Sequence, residues 1–581
     1  MHAPVEKRGF SEEQLAYLAG VVAKMGLHQA FLPDTASAAE PESVYGTPLE
    51  ELCKEEVAKY NLHPLDLRAR IERWTDKNEI ATGLDQFLLR HWGFFNVEPN
   101  SQGYMVRLRL PACKLRGDQM LALADIAENY AGGYAHVTTR GNFQMREIEP
   151  KDVLNVMYDL QQAGLTCHGS GADSARNMTS SPTSGFDPLE LIDLSPFTIR
   201  LSNAVLNTRE LQGLPRKFNI SFDGGGSIST VSDSNDICFQ AVEINDNDSD
   251  LEPGIYCRIM LGGISGHKDL ARDTGFVCTP EQTVLAGRAM LHVFVEHADR
   301  TNRKKARLKY LLDSKGFDWF IERTQEKLEE LEAEFQLTKL SADHDLPRPP
   351  VLRQAHIGVH KQSAPDLNYV GVALEMGRLS PEQMRHVGQL AMEKGCNDVR
   401  LTVWQNLLIA GVENHHIADA VRVLEENGMP TSATAFAAGA VACTGRWGCK
   451  LGLAHTKQSG TELVRHLEDL FTLDRPINIH LTGCPNSCAQ HYIGDIGLVG
   501  TTLPDGAEGY HIVVGGGSDH DYGIARPLCG PIAAERINSV VETMIGNYLA
   551  FREPGASFLE FVRQLEDGDL PQLLQGHSLA A

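Results

Sequence analysis

The segment HVTTRGNFQM (residues 136–145) recurs as RLTVWQNLLIA (residues 400–410) at a shift of 264 residues, which places Thr138 on Thr402 and Asn142 on Asn406. The same shift aligns further identical pairs: Gln119 with Gln383, Met120 with Met384, Ala127 with Ala391, and Gly164 with Gly428. A second register, shifted by 254 residues, places Tyr256, Gly262 and Gly263 on Tyr510, Gly516 and Gly517. Long blocks that recur in the same order indicate a chain built from two related halves.

Each half has the same predicted order of elements. An extended segment, YMVRLRLP (104–111) or YVGVALEM (369–376), precedes a helix, a strand-like segment and a second helix that ends at a glycine. In the second copy Ser380 is a candidate N-cap, Pro381 takes the first helical position and Gln383 completes a capping box. Strands that alternate with helices predict a mixed α/β (α+β) fold.

Composition excludes several classes of function. The 581 residues include 53 Lys and Arg against 76 Asp and Glu, a net charge of −23, so general binding to nucleic acid or anionic membranes is not expected. No apolar run approaches the roughly 20 residues of a membrane span. The first residues, MHAPVEKRGFSEEQ, lack an apolar signal core, and we expect a cytoplasmic protein.

Four of the twelve cysteines form two close pairs, Cys443 with Cys449 in ACTGRWGC and Cys484 with Cys488 in TGCPNSC. Four thiolates can hold either a tetrahedral zinc ion or a [4Fe–4S] cluster. The five-residue gap of the first pair fits structural zinc poorly, and nearby glycines would admit a bulky cluster, so the spacing favours the cluster over zinc or free thiols. The other eight cysteines are predicted to be inert apolar residues.

Basic residues concentrate in a few segments despite the acidic total. They lie in YMVRLRLP, TTRGNFQMR, DSARN, LPRKFN and TNRKKARLKY. Taken singly, each is expected to be a solvated surface charge. Arg107 and Arg109, however, have the period-two spacing that places both on one face of a strand.

The combination C-x5-C followed by TGCPNSC, with the duplicated halves, resembles the sirohaem-dependent nitrite and sulfite reductase family over roughly residues 95–565. The resemblance implies duplicated ferredoxin-like half-domains plus two sirohaem/[4Fe–4S]-binding α/β domains related by a pseudo-two-fold axis. The expected divisions are an N-terminal helical extension (1–95), half-domain 1 (96–165), sirohaem-binding domain 1 (166–337), a linker (338–352), half-domain 2 (353–430), [4Fe–4S]/sirohaem-binding domain 2 (431–565) and a tail (566–581).

The resemblance also implies roles for individual residues. The four paired cysteines would hold the cluster, and Cys488 would also bridge to the sirohaem iron. The substrate face would carry Arg107, Arg176 and Lys217, with Asn219 beside them. The cofactor would be contacted by Thr138, Arg140, Asn142, Gln144, Arg303, Lys304 and Asn486. His136 stands where some relatives have a cofactor-facing arginine, and Trp404 takes the position of Arg140 in the second copy, so we expect one functional site and one structural repeat.

The implied reaction is the six-electron reduction of nitrite to ammonia or of sulfite to sulfide. Sulfite reductases of the family usually carry a K-x-K pair where this chain has Lys217-Phe218-Asn219, and CTG at 443–445 resembles nitrite reductases. Both features favour the monoanion nitrite, and sulfite is the alternative. A cluster protein that transfers electrons without sirohaem is a further alternative, which predicts that Arg107, Arg176 and Lys217 are dispensable.

The electron donor is inferred from a missing motif. No G-x-G-x-x-G follows a predicted strand, so a built-in nicotinamide or flavin module is not expected. The resemblance implies a ferredoxin as donor, with the basic run Arg303–Lys309 as a candidate docking patch, and a monomeric enzyme.

Overall fold

The computed structural model describes residues 43–96, 103–245, 251–340, 348, 350–432 and 434–575. The helix expected in SEEQLAYLAGVVAKMG (11–26), most of the LPRPP segment and the last six residues lie outside the described residues. Over the described residues, no helix is both long and apolar enough to cross a membrane.

The strands follow the chain in four groups. The first group is β1 (Ser43–Val44), β2 (Thr47–Pro48), β3 (Phe94–Asn96), β4 (Tyr104–Arg107), β5 (Lys114–Leu115), β6 (Ala135–Val137) and β7 (Phe143–Ile148). The second is β8 (Thr179–Ser180), β9 (Ile220–Asp223), β10 (Ile237–Ile244), β11 (Gly254–Leu261), β12 (Arg272–Cys278) and β13 (Thr338–Lys339). The third is β14 (Gly358–Lys361), β15 (Leu367–Val372), β16 (Arg378–Leu379), β17 (Asp398–Leu401) and β18 (Leu407–Glu413). The fourth is β19 (Ala440–Ala442), β20 (Ile479–Thr482), β21 (Ile496–Thr502), β22 (Glu508–Val514) and β23 (Arg526–Ala533).

The helices cover these sheets. They are α1 (Lys54–Asn61), α2 (Arg68–Lys77), α3 (Leu84–Leu89), α4 (Gly117–Asn129), α5 (Val153–Gln162), α6 (Ser195–Asn207), α7 (Thr283–His297), α8 (Leu308–Lys315), α9 (Phe317–Glu330), α10 (Pro381–Glu393), α11 (Ile417–Glu426), α12 (Thr456–Leu470), α13 (Ile537–Phe551) and α14 (Phe558–Gln564).

The predicted duplication is confirmed element by element. Strand β5, helix α4, strand β7 and helix α5 each have a counterpart 264 residues later in β16, α10, β18 and α11. Equivalent side chains make equivalent bonds: Gln119 donates to the carbonyl of Ala163, and Gln383 donates to that of Asn427. The second register also holds, because α7 and α13 begin and end 254 residues apart.

The two half-domains exchange a strand. The sheet of the first copy has the order β16-β6-β7-β4-β3, and that of the second has β14-β15-β18-β17-β5, so β16 and β5 each complete the other copy's sheet. One hydrophobic core, which also contains residues of α1 to α3, joins both sheets. The exchange binds the copies into one unit with approximate two-fold equivalence.

Helices α4 and α10 pack against each other at the centre of this unit. A Cβ atom on Gly388 would lie 2.7 Å from the carbonyl oxygen of Gly117, and one on Gly117 would lie 2.5 Å from that of Gly388. Neither backbone can give way without separating the helices, so this crossing requires glycine on both sides. The N-terminus of α10 has the predicted capping box, with Ser380 Oγ accepting from Gln383 N at 3.1 Å.

The close crossing generates a stability prediction. We expect Gly388→Ala to lower the free energy of unfolding by about 1–3 kcal/mol, because the added methyl meets backbone rather than a movable side chain. Gly546→Ala in α13 is the matched control: a Cβ there has no atom within 4 Å, and we expect a gain of about 0.5–1 kcal/mol from helix propensity. Urea unfolding midpoints of the two variants measure this, and equal shifts would contradict the close-approach argument.

Candidate functional site

Sheet topology explains why the two cysteine pairs converge. Strands β19 and β20 are parallel neighbours, with Ala442 paired to Leu481. Cys443 follows β19 directly, and Cys484 follows β20 after one glycine. Because both loops leave the same edge of the sheet, pairs that are 35 to 45 positions apart in the chain meet in space.

Backbone N–H groups point at the sulfur of Cys443. Gly445 N and Gly483 N lie 3.3 Å and 3.1 Å from Cys443 Sγ. Gly445 has φ +64°, and a Cβ there would lie 2.6 Å from the carbonyl oxygen of Ala454, so only glycine fits this turn. Two N–H donors aimed at one sulfur suit a thiolate, the form in which cysteine binds metal.

The four thiols influence one another. Burial raises the pKa of Cys488 to about 11, and the neighbouring thiols of Cys443, Cys484 and Cys449 contribute. Cys488 nevertheless keeps accessible surface, so its thiol lines an open space that protein closely surrounds. In the part of the chain that the structure describes, no three His, Cys, Asp or Glu side chains are already arranged as ligands around one point. The thiols converge with N–H donors beside them, which fits a cluster with four cysteine ligands.

Arg107 lies at the end of β4, in a row that crosses the first sheet. It pairs with Gln144 on β7, which pairs with His136 on β6, and His136 in turn pairs with Arg378 on β16. Paired residues on antiparallel strands share a face. The Arg107 guanidinium lies over the Phe95 ring, 4.7 Å from its centroid, and burial lowers its pKa to about 10.

Arg176 and Lys217 come from two segments that hydrogen-bond to each other. Arg176 N donates to Phe218 O at 2.8 Å, and Phe218 N donates to Ser174 O at 3.1 Å. Burial, and then the positive charge of Arg107, holds the pKa of Arg176 well below its ordinary value. Burial, and then Arg307 and Arg176, does the same for Lys217. The cations therefore repel one another in one poorly solvated region.

These three cations have no carboxylate partner among the described residues. The Arg176 guanidinium donates to the carbonyl oxygens of Ala172 at 2.7 Å and Ser170 at 3.4 Å, and its Nε atom is buried without a hydrogen bond. Cys488 acts electrostatically on Arg107 and on Lys217, so the cations face the cysteine site. Buried positive charge without counter-charges fits a ligand that is itself strongly anionic, such as a tetrapyrrole with eight carboxylates and a small oxyanion.

Asn219 shares a face with Lys217. Phe218 between them is fully buried, with its ring 4.8 Å from that of Phe294, so its neighbours' side chains point the other way. The backbone N–H of Asn219 donates to Asp236 at 2.7 Å, and its side-chain oxygen is buried without a hydrogen bond. A buried amide without a partner on the face of Lys217 is available to a ligand.

The turn from Thr138 to Gln144 combines fold-forming and site-facing residues. Thr138 N donates to Asn142 O at 2.8 Å, and the Asn142 amide donates to Leu108 O, which closes the turn. Arg140 Nη2 donates to Asn235 Oδ1 at 2.6 Å and, like the cations above, has its pKa lowered by burial to about 10. Thr139 Oγ1 donates to Cys488 O at 3.1 Å, which ties this turn to the cysteine loop.

The basic run Arg303–Lys309 is largely neutralised within the protein. Arg303 forms a two-fold bond to Asp173 at 2.5 and 2.9 Å, Arg307 binds Asp236 at 2.7 Å, and Lys309 binds Asp269 and Asp313. Lys304 and Lys305 are exposed. As a docking patch for an acidic partner, the run therefore offers chiefly these two lysines.

Two residues near the cysteines had no assigned role in the sequence analysis. Arg146 reaches across some 300 positions to donate to Gly448 O at 3.0 Å and Thr444 Oγ1 at 2.7 Å, inside the first cysteine loop. Lys457, on the first turn of α12, lies near Cys443, and burial lowers its pKa to about 7. Arg146 is two positions from Gln144 on the same strand, a spacing that could have indicated its direction. Asn486 lies exposed between Cys484 and Cys488.

The equivalent site in the second copy is filled. Trp404 is buried in a hydrophobic cluster with Val403 and Ala489, and its ring stacks on His356 with centroids 6.1 Å apart. Gln405 exchanges two hydrogen bonds with the backbone of Ala442, and Asn406 accepts from Leu374 N. This region therefore serves the core rather than a ligand.

Comparison with known families gives the same assignment. The nitrite and sulphite reductase 4Fe-4S domain matches residues 171–331 and 438–557, and the nitrite/sulfite reductase ferredoxin-like half domain matches 98–163 and 360–427. The chain belongs to the nitrite and sulfite reductase family. It is an oxidoreductase, and the cofactors of this family are sirohaem and a [4Fe–4S] cluster.

Individual relatives carry names from both branches of this family. The chain is 30% identical to a ferredoxin–nitrite reductase of Synechococcus elongatus over 512 residues, which cover 85% of this chain and 96% of the relative. It is 29% identical to sulfite reductase [ferredoxin] 2 of Mycolicibacterium paratuberculosis over 517 residues, covering 87% and 90%. The solved structure of the Mycobacterium tuberculosis NirA protein matches with a TM-score of 0.81 and 26% identity, covering 89% of this chain and 97% of that chain.

The unpaired cations lead to a direct test. We expect Lys217→Met to lower kcat/KM for the anionic substrate by about 10²–10³, the effect of removing one preorganised donor. Lys305→Met, which removes an exposed lysine, should leave kcat/KM within about twofold, since exposed charges contribute little. Steady-state rates with a reduced viologen measure both variants, and equal effects would mean that Lys217 does not face the substrate.

Proposed function

We propose that this chain is a monomeric, cytoplasmic ferredoxin–nitrite reductase that converts nitrite to ammonia with six electrons, at a sirohaem coupled to a [4Fe–4S] cluster. The observation that carries the choice of substrate is Asn219. It is a neutral amide on the same face as Lys217, where the resemblance places a second lysine in sulfite reductases. One point charge fewer matches a monoanion better than a dianion.

The cysteines would hold the cofactors. Cys443, Cys449, Cys484 and Cys488 are proposed as the cluster ligands, with the Cys488 sulfur shared with the sirohaem iron. When bound, these groups supply the electrons and an iron that accepts the substrate. The N–H groups of Gly445 and Gly483 would stabilise the sulfur of Cys443, and Arg146 would hold the loop that carries Cys449.

The chain's own residues bind the anion and move protons. Arg107, Arg176 and Lys217 would attract nitrite and stabilise negative charge on its oxygens. The overall reaction consumes eight protons with the six electrons and releases ammonium and two water molecules. Lys217 is suited to donating protons, because a lowered pKa makes its ammonium group a stronger acid than an ordinary lysine.

Reduction of sulfite to sulfide is the second candidate, supported by the sulfite reductase among the relatives. The two proposals share fold, cofactors and cations, and they differ in how many positive charges the substrate meets. Steady-state kcat/KM for each anion distinguishes them in the unmodified enzyme. A large preference for nitrite with ammonia as product supports the first proposal, and a preference for sulfite replaces it with the second.

Changing the amide tests the charge-matching argument. We expect Asn219→Lys to shift the ratio of kcat/KM toward sulfite, since it restores the two-lysine pattern. Asn219→Met removes the amide without adding charge and is the control for altered packing at this buried position. If Asn219→Lys leaves the nitrite-to-sulfite ratio unchanged, Asn219 does not decide the substrate.

Changing the shared sulfur tests the coupling of the two cofactors. We expect Cys488→Ser to abolish formation of ammonia, because the hydroxyl is a poor substitute for a bridging thiolate. Cys529→Ser, at a cysteine on β23 outside the four, should behave as the unmodified enzyme does. Near-normal ammonia production by Cys488→Ser would remove Cys488 from the bridging role.

A further inference from the structure

Helix α1 carries a buried lysine outside the residues matched by the family domains. Lys59 is 8% exposed, and its neighbour Glu56 is 3% exposed. Burying an ammonium group is costly unless hydrogen bonds and opposite charge compensate for it. The contacts of Lys59 therefore indicate what the burial serves.

All three ammonium protons of Lys59 have acceptors. Nζ lies 2.5 Å from Glu56 Oε1, 2.6 Å from the carbonyl oxygen of Leu214 and 3.2 Å from that of Gly213. Glu56 is itself fixed by Arg300, whose Nη1 lies 2.6 Å from Glu56 Oε2. The lysine is thus held from α1 and clamps the backbone of the loop at 213–214.

That loop leads directly to the cationic site. Leu214 is three residues before Lys217, and the intervening backbone has no regular secondary structure. A Cβ on Gly213, which has φ +86°, would lie 3.3 Å from Lys59 Cδ, so the lysine stem packs along this turn. Lys59 fixes the entry to the segment on which Lys217 and Asn219 stand.

Lys59 also reaches the second cationic segment. Its Nζ lies 3.6 Å from Asp173 Oδ2, and Asp173 is three residues before Arg176. Burial would raise the pKa of Asp173, but Lys59 and Arg303 outweigh it and hold that pKa below its ordinary value. Asp173 remains an anion, and the charges of Lys59 and Arg303 satisfy it in place of Arg176.

We propose that Lys59, held by Glu56, is a positioning residue for the anion pocket: it fixes the loop of Lys217 and keeps Asp173 from drawing Arg176 away. Two segments that are already hydrogen-bonded at 174–176 and 218 are closed at their other end by one side chain from α1. This gives the segment before the family domains a part in substrate binding. The inference rests on the proposed function only in that the pocket binds an oxyanion.

The test measures anion affinity in the oxidised, cofactor-loaded enzyme by optical titration with nitrite and, separately, with sulfite. We expect Lys59→Met to raise Kd by about tenfold to a hundredfold, because small displacements of binding groups have effects of this size. KM should rise with Kd while kcat changes much less, the signature of lost binding rather than lost chemistry. Lys59→Arg, which keeps charge and donors, should recover most of the affinity.

A matched control separates positioning from stability. Lys327→Met removes another partly buried lysine, which instead binds Glu296 at 2.8 Å and Glu330 at 2.5 Å, and should leave Kd within about twofold. Glu56→Gln weakens the anchor of Lys59 without removing its charge, should raise Kd by a smaller factor, and decides the matter if Lys59→Met does not fold.

Equal effects of Lys59→Met and Lys327→Met on Kd, or an unchanged Kd in Glu56→Gln and Lys59→Met, would overturn the proposal. An unmodified enzyme that binds only sulfite would overturn the proposed substrate, and the Lys59 comparison would then be made with sulfite.

Discussion

Buried positive charge without counter-charge is the constraint on which the site depends. Arg107, Arg176 and Lys217 meet beside Cys488 in a region where burial lowers the pKa of each, and no carboxylate among the described residues pairs with them. A protein with a net charge of −23 has acids to spare. Keeping these acids away from three cations, while binding Arg303 to Asp173 and Arg307 to Asp236 nearby, preserves a positive field for an anionic ligand.

Duplication supplies the framework that makes this arrangement rigid. Each half-domain sheet borrows a strand from the other, and the helices α4 and α10 cross at Gly117 and Gly388. The parallel pair β19–β20 sends both cysteine loops to the same edge. Only one of the two equivalent sites stays open, because Trp404 and its hydrophobic neighbours fill the other. A symmetric fold thus carries an asymmetric function.

The sequence predicted what depends on local pattern or on repetition. The 264-residue register, the capping box at Ser380 and the mixed α/β class are all confirmed, since each signal lies within a short segment or is repeated. Pairings between distant residues could not be read in this way. The bond of Arg303 to Asp173 spans 130 positions and that of Arg146 to Gly448 spans 302, and neither has a local signature. Asn142 shows the same limit: the resemblance assigned it to the cofactor, whereas its amide donates to the backbone of Leu108. The assigned roles of the site residues stay predictions.

The most direct test of this account is the cofactor content of the purified, reconstituted chain. Iron, acid-labile sulfide and extracted tetrapyrrole should together give about five iron atoms and one sirohaem per chain, four of the irons belonging to the cluster. A combined Arg107→Met and Lys217→Met variant should retain the cluster's iron and sulfide but lose tetrapyrrole. Unmodified protein with a full cluster and no tetrapyrrole, or a variant that binds tetrapyrrole as tightly as the unmodified chain, would contradict the claim that these cations exist to balance an anionic macrocycle.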